Sequence, residues 1–315
     1  MKIVLTDAQT VVDELVSAEP IREFGEVISN GLLTYEQVAE AIADADIVLC
    51  NKTLLDQYTL RYADKLKYIG VFATGYNNID VAYCREHGIT VCNAGSYSTD
   101  AVVQHTFALI LAHFNNTALY DKYVQDGRWK RSPTFSPFLY PLHEISGRTI
   151  GIVGLGTIGQ AVARVALAFG MNVVAYNRSP RNIDGVRMVS LDELLAVSDI
   201  VTVHCPLNED SKEMFNKKTF AKMKPGSVFV NTARGGVMAE RDLYDALESG
   251  YLGGACIDVL SVEPMEEDCI LMGAKNCIIT PHIAWAPVET RQRLMQIVCD
   301  NIRNYLSGRP TNVVN

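Results

Sequence analysis

Short runs of apolar and β-branched residues alternate with helix-patterned stretches along nearly the whole chain, and this alternation is what most limits its possible folds. Residues 3–5, 47–50, 68–72 and 90–92 have strand character, and 34–43 has a helical pattern between the first two. A second series follows at 150–153, 172–176, 200–204, 227–231, 254–259 and 277–280, with helical stretches between most of its members. Strands this short and apolar have no face to offer water. They belong in parallel sheets covered by helices on both sides.

At 315 residues the chain exceeds the roughly 250–300 residues over which one core keeps growing, so two α/β domains are expected. Only about 35 residues follow Pro281, and 288–306 is helical in pattern; this tail is too short for a domain and is expected to fold back on the first one. The expected division is 1–98 plus 286–315, with 99–285 inserted. Residues 98–123 suggest one long connecting helix, opened by Ser98, Thr99 or Asp100 as cap, and a Pro-rich segment at 132–141 leads to the second series.

A formal charge of −8 argues against a nucleic-acid partner, which needs a clustered excess of Lys and Arg. Eight scattered cysteines without a C-x-x-C pair suggest buried, reduced thiols rather than zinc or redox chemistry, and no His/Asp/Glu cluster has metal-ligand spacing. No leader pattern and no run of 18 apolar residues occurs, so a cytoplasmic protein without membrane contact is expected.

Gly154-Leu155-Gly156-Thr157-Ile158-Gly159 is a G-x-G-x-x-G motif lying between the strand run at 150–153 and a helical run from Gln160. The first glycine makes a tight turn, the second lets backbone approach a pyrophosphate, and the third lets helix pack on strand, while the helix N-terminus offers free N–H groups. In this context the motif predicts a dinucleotide-binding (Rossmann) domain inserted into a flavodoxin-like one. Both would be doubly wound parallel sheets.

NAD users place an acidic residue after the next strand to receive the ribose hydroxyls. Here that strand runs into Asn177-Arg178-Ser179. Asn177 carries no charge to repel a 2′-phosphate, and Arg178 with Ser179 can bind one, so NADPH is favoured within an NAD(P)H-binding site. If Arg178 is only a solvated surface charge, NAD remains the cofactor.

Three polar residues follow strands, where open α/β sheets place their ligands: Arg234 in N-T-A-R-G-G, Glu263 in D-V-L-S-V-E-P and His282 in P-H-I-A. Hydride exchange at C2 of a hydroxy acid needs a carboxylate clamp, a group that exchanges a proton with the C2 oxygen, and a partner for that group. A guanidinium fork suits the first role, an imidazole the second, and a carboxylate that fixes the ring's tautomer the third. Taken singly, each also has an ordinary explanation, as an ion pair, a core imidazole and a loop charge.

Taken together and in this order, G-L-G-T-I-G, N-T-A-R-G-G, D-V-L-S-V-E-P and P-H-I-A resemble the D-isomer-specific 2-hydroxyacid dehydrogenase family over nearly the whole chain. The resemblance implies Arg234 as binder of carboxylate and carbonyl, His282 as proton donor and Glu263 as its partner. It also implies that Asp258 binds the nicotinamide carboxamide and that Ala233, Cys205 and Pro206 line the cofactor. The segment 73–80 matches the family's loop whose N–H groups hold the substrate carboxylate, through Thr74 and Gly75; on bare sequence it is a turn before a helix capped by Asp80. Two departures stand out: Gln104 replaces a Glu common before the long helix's His105, and Asn177 replaces the Asp of NAD users. The remaining histidines, His105 included, are expected to be structural.

Trp285 after P-H-I-A and Tyr140-Pro141-Leu142 before the glycine-rich motif resemble the glycerate dehydrogenases, also called hydroxypyruvate reductases. Reduction of hydroxypyruvate or glyoxylate is therefore expected. D-lactate-type or bulkier 2-oxo acids are the nearest alternative, and a nucleotide-sensing, corepressor-like binding protein is the alternative from another class. The apolar helix from Asp100 resembles the family's dimer arm, which implies a homodimer.

Overall fold

The computed structural model describes residues 1–179 and 181–315. They form two compact units, Met1–Ser98 with Ala286–Asn315, and Thr99–Trp285.

The first unit holds β1 (Lys2–Leu5), β2 (Glu26–Ser29), α1 (Tyr35–Ile42), β3 (Ile47–Cys50), α2 (Gln57–Leu60), β4 (Tyr68–Val71), α3 (Val81–Glu86) and β5 (Thr90–Cys92). All pairings are parallel, in the order β2-β1-β3-β4-β5, which is the flavodoxin-like order. β2 was not expected from the sequence because its residues are largely exposed; it is held by its ladder to β1, from Lys2↔Glu26 to Leu5↔Ser29. Thr34 and Gln37 form a capping box on α1, and Asp80 caps α3 by accepting from the Tyr83 N–H at 2.9 Å. Val4, Val48, Ile69 and Val91 from four neighbouring strands share one core with Val38 and Ile42 of α1.

Strand order reverses between β1 and β3, the place where such sheets bind anionic ligands. Here the chain fills that place itself. The buried Asp7 carboxylate, just past β1, accepts from the N–H groups of Asn51, Lys52 and Thr53 past β3, at 2.6–3.1 Å.

The second unit opens with α4 (Thr99–Asn115) and α5 (Thr117–Gln125). The single helix expected over 98–123 is broken at Asn116, whose φ of +49° is left-handed, a conformation that asparagine tolerates better than most residues. The Asn116 amide is anchored to the Pro141 carbonyl at 2.7 Å. There follow β6 (Thr149–Val153), α6 (Thr157–Ala168), β7 (Asn172–Tyr176), β8 (Val186–Met188), α7 (Leu191–Val197), β9 (Ile200–Val203), α8 (Lys217–Phe220), β10 (Val228–Asn231), α9 (Glu240–Glu248), β11 (Gly254–Ile257) and β12 (Cys277–Ile279). The seven strands are parallel in the order β12-β11-β10-β9-β6-β7-β8. The extra edge strand β8 is only three residues long and alternates exposed with half-buried positions, so no apolar run announces it.

Successive residues of each strand serve opposite faces. Ile150, Ile152, Val173 and Val230 pack with Phe107, Ile110 and Ala163 of α4 and α6, while Val153, Val174, Val203 and Phe229 pack with Leu194, Phe220 and Leu243 of α7, α8 and α9. The chain ends in α10 (Val288–Leu306), which returns to the first unit; there Leu294, Val298 and Ile302 are buried and the Asn301 amide donates to the Asn93 carbonyl at 2.8 Å.

Candidate active site

Strand order in the second unit reverses between β6 and β9, and the glycine-rich loop leaves β6 there. Gly154 has φ +96°, and a Cβ on it would lie 2.6 Å from the backbone nitrogen of Cys205, so only glycine fits. A Cβ on Gly159 would lie 2.1 Å from the Gly154 carbonyl oxygen, which shows how closely α6 packs on its own entry loop. Gly156 behaves differently: nothing stands within 4 Å of its Cβ position, and no side chain caps the helix at this residue. Open space in front of an uncapped first turn, formed by Thr157 and Ile158, fits the pyrophosphate of a dinucleotide.

Asn177 braces this loop. Its side-chain oxygen accepts from Leu155 N–H at 2.9 Å and its amide donates to the Ser179 carbonyl at 2.7 Å. Arg178 points outward, with Nη1 3.0 Å from the Asp210 carboxylate in a pair whose side chains are both more than 70% exposed (79% and 75%). Cys205 is half-buried, burial holds its thiol above the ordinary range, and the Pro206 carbonyl accepts from Ser211 Oγ at 2.7 Å.

Arg234 is delivered by a buried asparagine. Asn231, the last residue of β10, accepts from Ala233 N–H at 3.0 Å and donates to the Arg234 carbonyl at 2.9 Å, which shapes the turn. The Arg234 guanidinium donates to the Ala233 carbonyl at 2.7 Å. A Cβ on Gly235 would lie about 2.0 Å from the Leu260 carbonyl oxygen, so this loop rests directly against the one that carries Glu263. Glu263 accepts from Leu260 N–H with Oε1 at 3.0 Å, and its Oε2 lies 2.6 Å from His282 Nδ1.

His282 has φ +54°, a left-handed conformation that costs an L-residue roughly 1–2 kcal/mol. Its surroundings hold it there. Its own N–H donates to the Asp258 carbonyl at 2.8 Å, and the next two amides, Ile283 and Ala284, donate to the Asp258 carboxylate at 3.0 and 2.9 Å. Asp258 also accepts from the Thr280 hydroxyl at 2.6 Å, and His105 Nε2 of α4 lies 2.9 Å from that hydroxyl and 3.3 Å from the carboxylate. Burial alone would push the Asp258 carboxyl up; the bonds from His105, Thr280, Ala284 and Ile283 outweigh it and hold it below the ordinary value. Two partners this far apart in sequence left no local signal, which is why His105 was expected to be only structural and Asp258 was assigned only to a cofactor contact. Of the other histidines, exposed His87 stacks on Tyr83 of α3, and half-buried His204, just past β9, bonds Thr202.

The structure thus brings Arg234, Glu263 and His282 onto abutting loops, and the glycine-rich loop, Asn177 and Cys205 onto another group of strand ends in the same unit. Thr74 and Gly75 belong to the first unit, in the loop after β4. There the Asn93 amide donates to the Thr74 carbonyl at 2.8 Å and the Thr74 hydroxyl bonds the Gly95 carbonyl.

Comparison with known proteins shows what the chain is similar to. Residues 107–284 match the model of the NAD-binding domain of D-isomer-specific 2-hydroxyacid dehydrogenases. The chain is 42% identical over its whole length to a hydroxypyruvate reductase of Blautia hydrogenotrophica, covering all of that protein, and 38% identical to a glycerate dehydrogenase of Methylorubrum extorquens, covering 89% of each. Its fold superposes with a TM-score of 0.87 and 27% identity on an NADPH-dependent glyoxylate/hydroxypyruvate reductase of Sinorhizobium meliloti, solved with NADP and malonate, over 99% of this chain and 96% of that one. The chain therefore belongs to the D-isomer-specific 2-hydroxyacid dehydrogenase family.

Proposed function

We propose that this enzyme reduces hydroxypyruvate and glyoxylate to D-glycerate and glycolate, with NADPH favoured over NADH. The observation that carries the reading is the His282–Glu263 pair at 2.6 Å, set on a loop beside that of Arg234. Relatives named for hydroxypyruvate and glycerate, at 42% and 38% identity, support the substrate. The cofactor preference rests on uncharged Asn177, on Arg178 and on the NADPH dependence of the Sinorhizobium enzyme.

Gly154, Gly156, Thr157, Ile158 and Gly159 would hold the pyrophosphate, with Asn177, Arg178 and Ser179 at the adenosine ribose and Cys205, Pro206, Ala233 and Asp258 toward the nicotinamide. The bound nicotinamide supplies the hydride. Arg234 orients the 2-oxo acid by gripping its carboxylate and C2 oxygen in one plane. Because Glu263 can only accept, His282 Nδ1 keeps its proton, and Nε2 is the nitrogen that gives a proton to the C2 oxygen in reduction and takes it back in oxidation. Thr74 and Gly75 are carried as carboxylate contacts on the family resemblance. The working form is a homodimer in the cytoplasm; among the described residues no helix is long and apolar enough to cross a membrane.

The test is the loss of NAD(P)H absorbance with purified protein, across hydroxypyruvate, glyoxylate, pyruvate and phenylpyruvate and with both cofactors. Fast turnover of the first two, favouring NADPH, is expected. Preference for pyruvate or phenylpyruvate would replace the substrate, and cofactor binding without turnover of any acid would point to a binding protein.

A further inference from the structure

The bonds around Asp258 form a directed chain that begins outside the loops carrying the proposed chemistry. Asp258 is ionised and cannot donate, so the single proton of the Thr280 hydroxyl goes to it, at 2.6 Å. The Thr280 oxygen is then an acceptor toward its other neighbour, His105 Nε2 at 2.9 Å, which must carry a hydrogen. That same N–H lies 3.3 Å from the Asp258 carboxylate. The same Oδ1 also accepts from the Ile283 amide and the other oxygen, Oδ2, from the Ala284 amide, and these two residues directly follow His282 in its left-handed conformation.

We propose that His105 is a positioning residue for the proton donor His282, acting through the Thr280 hydroxyl and the Asp258 carboxylate. A non-glycine residue stays at positive φ only where its surroundings over-determine it. His105 supplies the outermost of those constraints from α4, a helix whose Val103, Phe107 and Ile110 are buried in the core of its unit. Replacing it by a ring without a donor leaves Thr280 and Asp258 each one hydrogen short and loosens the turn. The His282 ring then spends less time in the pose that protonates C2, while the cofactor loop and the Arg234 turn keep their own bonds.

The inference rests on His282 being the proton donor, and His282→Ala tests that separately; an active His282→Ala variant would overturn the donor assignment itself. Given an inactive His282→Ala, His105→Phe is expected to lower kcat about tenfold, the lower reach of losing a partner that orients a working side chain, with KM and NADPH affinity changed less than about twofold. His105→Gln, whose amide nitrogen can take the place of Nε2, should recover most of that loss. Ring-nitrogen NMR shifts of 15N-histidine-labelled protein should show His282 leaving its single tautomer in the Phe variant and regaining it in the Gln variant. Unchanged kcat in His105→Phe, a parallel loss of NADPH affinity, or no rescue by Gln would each overturn the role. Should the Phe variant not fold, Thr280→Val carries the test: it breaks the same chain one link further on, and wild-type kcat in it would overturn the proposal equally.

Discussion

Glu263 Oε2 lies 2.6 Å from His282 Nδ1, a charge-assisted distance that fixes which ring nitrogen keeps its proton. The carboxylate also faces the positive charge that the ring carries whenever it is ready to protonate a substrate. Glu263→Gln keeps the shape and removes that charge, so kcat for reduction is expected to fall about tenfold or more, and His282→Ala should cost at least ~10²-fold. Steady-state assays at saturating NADPH read both. A Gln variant at wild-type kcat would show that the Glu263 charge plays no part in turnover.

Arg234 depends on a turn that the fully buried Asn231 builds from both sides. Lysine retains the charge but not the two-pronged planar grip, so Arg234→Lys should raise KM for the 2-oxo acid roughly tenfold while NADPH affinity stays as it was. An unchanged KM would move the clamp elsewhere.

Most of this architecture was legible in the sequence because its determinants are local. The strands at 47–50, 90–92 and 172–176 and the glycine-rich turn each show in a few adjacent residues. What escaped is held by non-local bonds or by a single torsion. β2 and β8 are edge strands kept by ladders rather than by burial, and the helix break at Asn116 is one left-handed residue inside an apolar stretch. The pairing of His105 with Thr280 spans 175 positions, and nothing in either neighbourhood announces it.

Arg178 already faces one anion. Asp210 holds its guanidinium at 3.0 Å, and a 2′-phosphate bound there would have to compete with that carboxylate and suffer its repulsion. The pair is exposed, so its own contribution to stability is small. Asp210→Asn should therefore tighten NADPH several-fold and leave NADH unaffected, whereas Arg178→Ala should weaken NADPH alone. Fluorescence titration of both cofactors measures this. Equal responses to the two cofactors would mean that Arg178 does not meet the 2′-phosphate.

Asp258 is buried and its carboxyl is held below the ordinary value of about 3.9, despite burial acting the other way. A carboxylate depressed in the folded state stabilises above its unfolded pKa, and that stability is lost as pH falls through the lower folded value. Asp258→Asn should thus cost about 1–3 kcal/mol at neutral pH, with the gap to wild type narrowing only below about pH 4. Denaturant midpoints across the pH range check the sign. A gap that stays constant into acid would assign the loss to packing rather than charge.

The proposed dimer needs apolar surface, and Phe107, Ile110 and Phe114 of α4 are buried in the core of their own unit. Exposed apolar side chains stand further along: Leu119 and Val124 of α5 are over 40% exposed, Trp129 is half-exposed, and Phe135 and Phe138 are both 88% exposed. Two phenylalanines open to water within four residues are costly unless a second surface covers them, and a two-fold pairing of identical segments would cover both at once. Light scattering should give twice the 34.7 kDa chain mass, and Phe135→Ser with Phe138→Ser should shift the protein toward that single-chain mass with its far-UV spectrum unchanged. A wild-type protein that runs at the single-chain mass at micromolar concentration would assign those rings to another partner and remove the dimer.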